Sequence, residues 1–88
     1  MSDPLELSVQ ATPNPNAVKF TLNRSVAAQG TTYRDPSAAP DWAKEALAVP
    51  GVTQLFAINN FISVSKSAEA DWGAILPRVE PVLRRAFA

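Results

Sequence analysis

Residues 52–66 read V-T-Q-L-F-A-I-N-N-F-I-S-V-S-K, two arms of alternating character on either side of Asn59-Asn60. Asparagine accepts a positive φ more readily than most residues, so a two-residue turn at this pair closes the arms into an antiparallel hairpin. With that turn, Ile58 faces Phe61, Phe56 faces Ser63 and Gln54 faces Ser65. The other parity holds Leu55, Ala57, Ile62 and Val64, all apolar and suited to a core. Phe56, Ile58 and Phe61 then point to the opposite face, where large apolar groups among polar neighbours mark a candidate interface. A slip of one residue exchanges the faces, and a four-residue loop or a covering segment is the competing arrangement. Burial of both Phe56 and Phe61 would remove the interface reading.

Working outward, Leu5, Leu7, Val9 and Ala11 alternate with Glu6, Ser8, Gln10 and Thr12, and Val18, Phe20 and Leu22 alternate with Lys19, Thr21 and Asn23. These are two more half-buried strands, paired antiparallel about T-P-N-P-N at residues 12–16. Two X-Pro steps stiffen that pentapeptide, and Asn14 and Asn16 supply turn chemistry through their side chains. A rigid polar turn also presents groups to a partner. Residues 24–39 show no sustained period and contain Gly30 and Pro36, so they read as a long connection, mobile or part of the working surface.

A short helix is expected next, with Ser37 or Asp41 as N-cap and Trp42, Ala43, Ala46 and Leu47 on one face, ended by Pro50 and Gly51. A final helix spans about residues 69–87, with Trp72, Ile75, Leu76, Val79, Leu83, Ala86 and Phe87 as its apolar stripe. Pro77 and Pro81 interrupt it, which predicts a kink or a start near Trp72. Arg84 and Arg85 suit its C-terminal dipole. The order ββαββα implies an α+β fold: a two-layer sandwich with an antiparallel-rich four-stranded sheet and two helices on one face. Eighty-eight residues suit a single domain over 1–88.

The chain has no cysteine and no histidine. Thiolate chemistry, disulfides, thiolate cluster ligation and the commonest general base are therefore absent from its own side chains. The carboxylates Asp3, Glu6, Asp35, Asp41, Glu45, Glu69, Asp71 and Glu80 are dispersed without metal-ligand spacing, so no metal site and no cofactor are expected. No motif sets a nucleophile beside a base, and the expectation is that the chain is not an enzyme. Eight basic residues balance eight acidic ones, which argues against nucleic acid and anionic membranes as partners. No secretory signal or membrane span is evident, so a cytoplasmic location is expected.

T-P-N-P-N-A-V-K-F at 12–20, P-G-V at 50–52, the pattern F-x(4)-F-I-x-V-x-K from Phe56 to Lys66, and Asp71-Trp72 followed by Ile75, Leu76 and Pro77 together resemble the N-terminal domain of NifU-like (Nfu) iron-sulfur scaffold proteins. The resemblance runs from about Leu5 to Phe87. It departs at Ala39-Pro40-Asp41-Trp42-Ala43, where the family usually shows S-P-L-A. Longer members carry a second, C-x-x-C domain that holds the cluster, and that motif is missing here. The resemblance implies an accessory module whose partners are iron-sulfur assembly proteins or apo-targets. The candidate contact residues are Asn14, Asn16, Lys19, Phe56 and Phe61. A carboxylate-based iron-binding or iron-delivery protein is the alternative. Lys66 reads as a solvated strand charge, Trp42 and Trp72 as core residues, and self-association through an exposed sheet edge is left open.

Overall fold

A computed structural model describes residues 4–87. Five strands form one antiparallel sheet: β1 (Leu7–Ala11), β2 (Ala17–Leu22), β3 (Ala27–Tyr33), β4 (Val52–Asn59) and β5 (Phe61–Lys66), in the spatial order β1-β2-β5-β4-β3. Helices α1 (Asp41–Leu47) and α2 (Trp72–Phe87) complete the second layer. The central β4–β5 hairpin has the expected register, with Ile58 opposite Phe61, Phe56 opposite Ser63 and Gln54 opposite Ser65. Its turn works because Asn59 takes φ 52°, a left-handed conformation that asparagine tolerates better than branched residues.

One face of the sheet carries the core. Val18, Phe20, Leu22, Leu55, Ala57, Ile62 and Val64 are buried there against Ala43 and Ala46 of α1 and Ile75, Val79, Val82 and Leu83 of α2. In α2, Val82 is buried and Ala86 exposed, a small rotation of the stripe from the one expected. Trp42 stands edge-on between Tyr33 and Phe87, with ring centroids 5.6 and 5.2 Å away, geometry favoured by the ring quadrupoles.

The sheet has five strands and not four, because the 24–39 segment contains β3. Thr31, Thr32 and Tyr33 of β3 pair with Ala57, Phe56 and Leu55 of β4. Its sequence AAQGTTY does not alternate because the strand lies at an edge, has a register shift between Ala27 and Thr31, and buries no residue completely. A strand with a shifted register has no continuous core side for a period-2 pattern to encode, whereas β1, the other edge, keeps its alternation in an unbroken register although none of its residues is fully buried. The chain reaches this far edge by passing the tip of the central hairpin. Leu22 N–H donates to the Asn60 carbonyl at 2.8 Å and Val26 N–H to the Asn59 carbonyl at 2.6 Å, while Asn60 Nδ2 donates to the Leu22 carbonyl at 3.1 Å.

The helix starts also differ from expectation. Asp35, not Ser37, caps a short 3-10 turn at Pro36–Ala38, and hydrogen bonds from Ser37 hold its carboxyl below the ordinary carboxylate value. Helix α1 begins after Pro40 with no side-chain cap, and Asp41 lies in its first turn. Helix α2 starts at Trp72, where Asp71 Oδ1 accepts the Gly73 N–H at 3.0 Å. Pro77 and Pro81 stay within it on the exposed side, where water can satisfy the carbonyls that lose a helical partner.

Candidate partner-binding surface

The five candidate residues fall into two places. Lys19, Phe56 and Phe61 share the sheet face opposite the helices. Phe56 and Phe61 are diagonal neighbours across β4 and β5, and Lys19 lies opposite Ser63 on the next strand. The Lys19 ammonium sits 4.3 Å from the centre of the Phe61 ring, a cation–π contact that also shields part of the ring from water. Phe56 lies across Gly30 of β3, where an added Cβ would come within 3.0 Å of Phe56 Cζ. A glycine at this edge position therefore gives the ring its seat.

No described side chain of this face is buried. Phe56, Ile58, Phe61, Gln54, Ser63 and Ser65 are partly exposed, and Ser8, Gln10 and Thr32 are exposed. Arg34 Nε donates to Gln54 Oε1 at 2.8 Å at the far side. The surface is thus a small apolar centre rimmed by hydroxyls, amides and two cations. Such a composition can desolvate against a partner while the rim keeps its polar contacts.

Asn14 and Asn16 lie elsewhere, at the end of the sheet. Thr12 Oγ1 donates towards the carbonyls of Asn14 and Ala17, each at 2.9 Å, and Asn14 Oδ1 accepts the Asn16 N–H at 2.9 Å. The turn is then held from two distant elements. Lys66 Nζ donates to Asn16 Oδ1 at 3.0 Å, and Trp72 Nε1 donates to the Pro15 carbonyl at 3.0 Å. Lys66 also lies 5.7 Å from the Trp72 ring centre. Lys66 and Trp72 were not among the expected contact residues. The available signal was parity, because Lys66 continues the core-facing series Ile62 and Val64 and so lies partly buried on the side of Trp72.

The described carboxylates do not gather, and no group of three that could hold a metal occurs among the described residues. Glu80 pairs with Arg84 and Glu45 with Arg85, at 2.9 and 2.8 Å. Asp35 and Asp71 cap local turns. Asp3 lies outside the described residues. No helix among the described residues is long and apolar enough to cross a membrane.

A five-stranded antiparallel sheet, two helices on one side and an open face with a partly exposed aromatic centre define a small α+β domain. The chain belongs to the Nfu/NifU N-terminal family: a family model described as scaffold protein Nfu/NifU N terminal matches residues 7–88. It is 38% identical over 86 residues to the mitochondrial NFU1 iron-sulfur cluster scaffold homolog of Drosophila willistoni, with 93% of this chain and 30% of that protein aligned. It is 33% identical to conserved virulence factor C of Staphylococcus aureus, with 84% of this chain and 20% of that protein aligned. The chain thus spans less than a third of the length of these relatives. The crystal structure of protein SAV1430 from Staphylococcus aureus superposes with a TM-score of 0.78 at 38% identity, covering 89% of this chain and 98% of that one. A NifU-like protein from Saccharomyces cerevisiae shares the fold, with a TM-score of 0.81 at 20% identity, over 96% of this chain and 81% of that one.

Proposed function

We propose that this chain is a non-catalytic, cytoplasmic interaction module that docks on iron-sulfur assembly proteins or apo-targets during cluster assembly or transfer. The family associates it with iron-sulfur scaffolds. Contact falls to Lys19, Phe56 and Phe61, and the observation that carries this is the open sheet face on which these three side chains meet. Asn14 and Asn16 act indirectly, since their side-chain oxygens already accept hydrogen bonds that hold the turn. With no cysteine or histidine of its own, the chain would leave soft cluster ligation to the partner's thiolates.

The test compares capture of identified iron-sulfur assembly proteins by wild type, by Phe56→Ser plus Phe61→Ser, and by Asn14→Ala plus Asn16→Ala. Loss with the phenylalanine variant and retention with the asparagine variant is the expected result. Unchanged capture by the phenylalanine variant would reject the surface, and failure of the wild type to enrich such proteins would reject the process.

A further inference from the structure

The β1 edge is built differently from the β3 edge. Strand β3 is kinked by its register shift and carries Gly30, features that discourage pairing with another chain. Strand β1 reads L-S-V-Q-A, with no charge, no proline and no bulge in its pairing with β2. Among the described residues nothing protects it by the usual devices.

The hydrogen-bond parity of β1 follows from its neighbour. Asn23 N–H donates to the Glu6 carbonyl at 3.2 Å, and the register places Ser8 opposite Thr21 and Gln10 opposite Lys19. In an antiparallel ladder alternate residues bond inward, so Ser8 and Gln10 bond to β2. The peptide groups of Leu7, Val9 and Ala11 consequently point away from the sheet. The same three residues carry the apolar side chains of β1, on the helix side. There Leu7 is partly buried against the core, but Ala11 is exposed and Val9, at 42%, is the large apolar side chain left most open among the described residues.

We infer that β1 pairs antiparallel with β1 of a second copy of this chain, about a two-fold axis at Val9, joining two sheets edge to edge. This goes beyond the docking proposal and uses a different surface. The strand is self-complementary in that arrangement. Val9 meets Val9, Leu7 meets Ala11 and Ser8 meets Gln10, so apolar groups meet on the helix side and small polar groups on the other. Glu6 falls opposite Thr12, and no like charges are opposed, as they would be against a charged strand. The outward peptide groups of Leu7, Val9 and Ala11 are those that an H-bonded pair at Val9 requires. A five-residue contact buries less than the ~1,200 Å² of a standard interface and so falls in the weak class, for which half-association is expected on the order of 0.1–1 mM.

Sedimentation of the full chain from about 20 µM to 2 mM, bracketing that range, tests this. The wild-type mass should climb from monomer towards twice that value. Val9→Pro removes only an outward N–H, which an edge strand tolerates, and should hold the mass at monomer with unchanged circular dichroism. Should Val9→Pro prove unfolded, Val9→Lys decides, because it places two ammonium groups face to face at the axis while lying on an exposed site in the monomer. Amide exchange of Leu7, Val9 and Ala11 should slow with concentration, and that of Ser8 and Gln10 should not. Phe61→Ser should associate as wild type does, which separates this edge from the docking face. A wild type that stays monomeric to 2 mM, or a folded Val9 variant that associates as wild type does, overturns the inference.

Discussion

At the scale of single residues, Lys66 has the least expected role. Its ammonium is shared between Asn16 Oδ1 at 3.0 Å and the Ser67 carbonyl at 3.3 Å, beside the Trp72 ring. A part-buried hydrogen bond to a charged group contributes more than a neutral one, so Lys66→Met should lower unfolding stability by about 1–2 kcal/mol in a urea titration. An effect below the error of that titration would show the contact to be incidental. Gly51 is the second such position. It has φ +97°, and an added Cβ would lie 2.6 Å from Ala70 Cβ. Gly51→Ala combines left-handed strain with a steric clash, and a loss of about 2–4 kcal/mol is expected by the same measurement. Gly30 contrasts with it, because there the neighbour is the end of a partly exposed Phe56 ring that can shift.

At the scale of elements, α2 shows which contacts hold the two layers together. Arg85 reaches Glu45 of α1 at 2.8 Å, but the two side chains are 70% and 53% exposed. Leu83, on the same helix, is fully buried. Water screens the ion pair, whereas removing a buried leucine leaves a cavity. Arg85→Ala should therefore change stability by less than about 0.5 kcal/mol and Leu83→Ala by about 3 kcal/mol, read from paired denaturation curves. Equal effects would mean that the helices are held by charge, against this account. Arg24 works at the same end, donating to the Phe87 carbonyl at 2.8 Å, where a cation also meets the negative end of the helix dipole.

At the scale of the whole molecule, stability should grade from the centre of the sheet to its edges. Phe20, Leu55, Ile62 and Val64 are fully buried on β2, β4 and β5, whereas β3 buries none of its residues completely. Amide exchange should be slowest at Phe20, Ile62 and Val64, which also pair within the interior of the sheet, and faster in β3 by about 100-fold or more, since edge openings need only part of the global unfolding energy. Uniform protection across all five strands would contradict this gradient. The face proposed for docking lies largely on the slow centre. Phe61 and Lys19 thus stand on a rigid base, which would lower the ordering cost of the proposed docking.

What the sequence by itself determined is local and periodic. The alternation of Leu55, Ala57, Ile62 and Val64 against Phe56, Ile58 and Phe61 specified the central hairpin and its two faces, while the choice between this register and a one-residue slip, and so the exposure of the aromatic pair, fell to the tertiary structure. The stripe on residues 72–87 likewise specified the covering helix, apart from Val82 and Ala86. The lack of cysteine and histidine is also legible at once. Tertiary structure alone decided the rest. Strand β3 carries no alternation, because an edge strand with a shifted register has no continuous core face to encode. The candidate residues divided into a sheet face and a latched turn through Asn16–Lys66 and Pro15–Trp72 contacts spanning 50 and 57 residues of chain. A period reports which way a side chain points relative to its own neighbours; it carries no information about a partner brought in from so far along the chain.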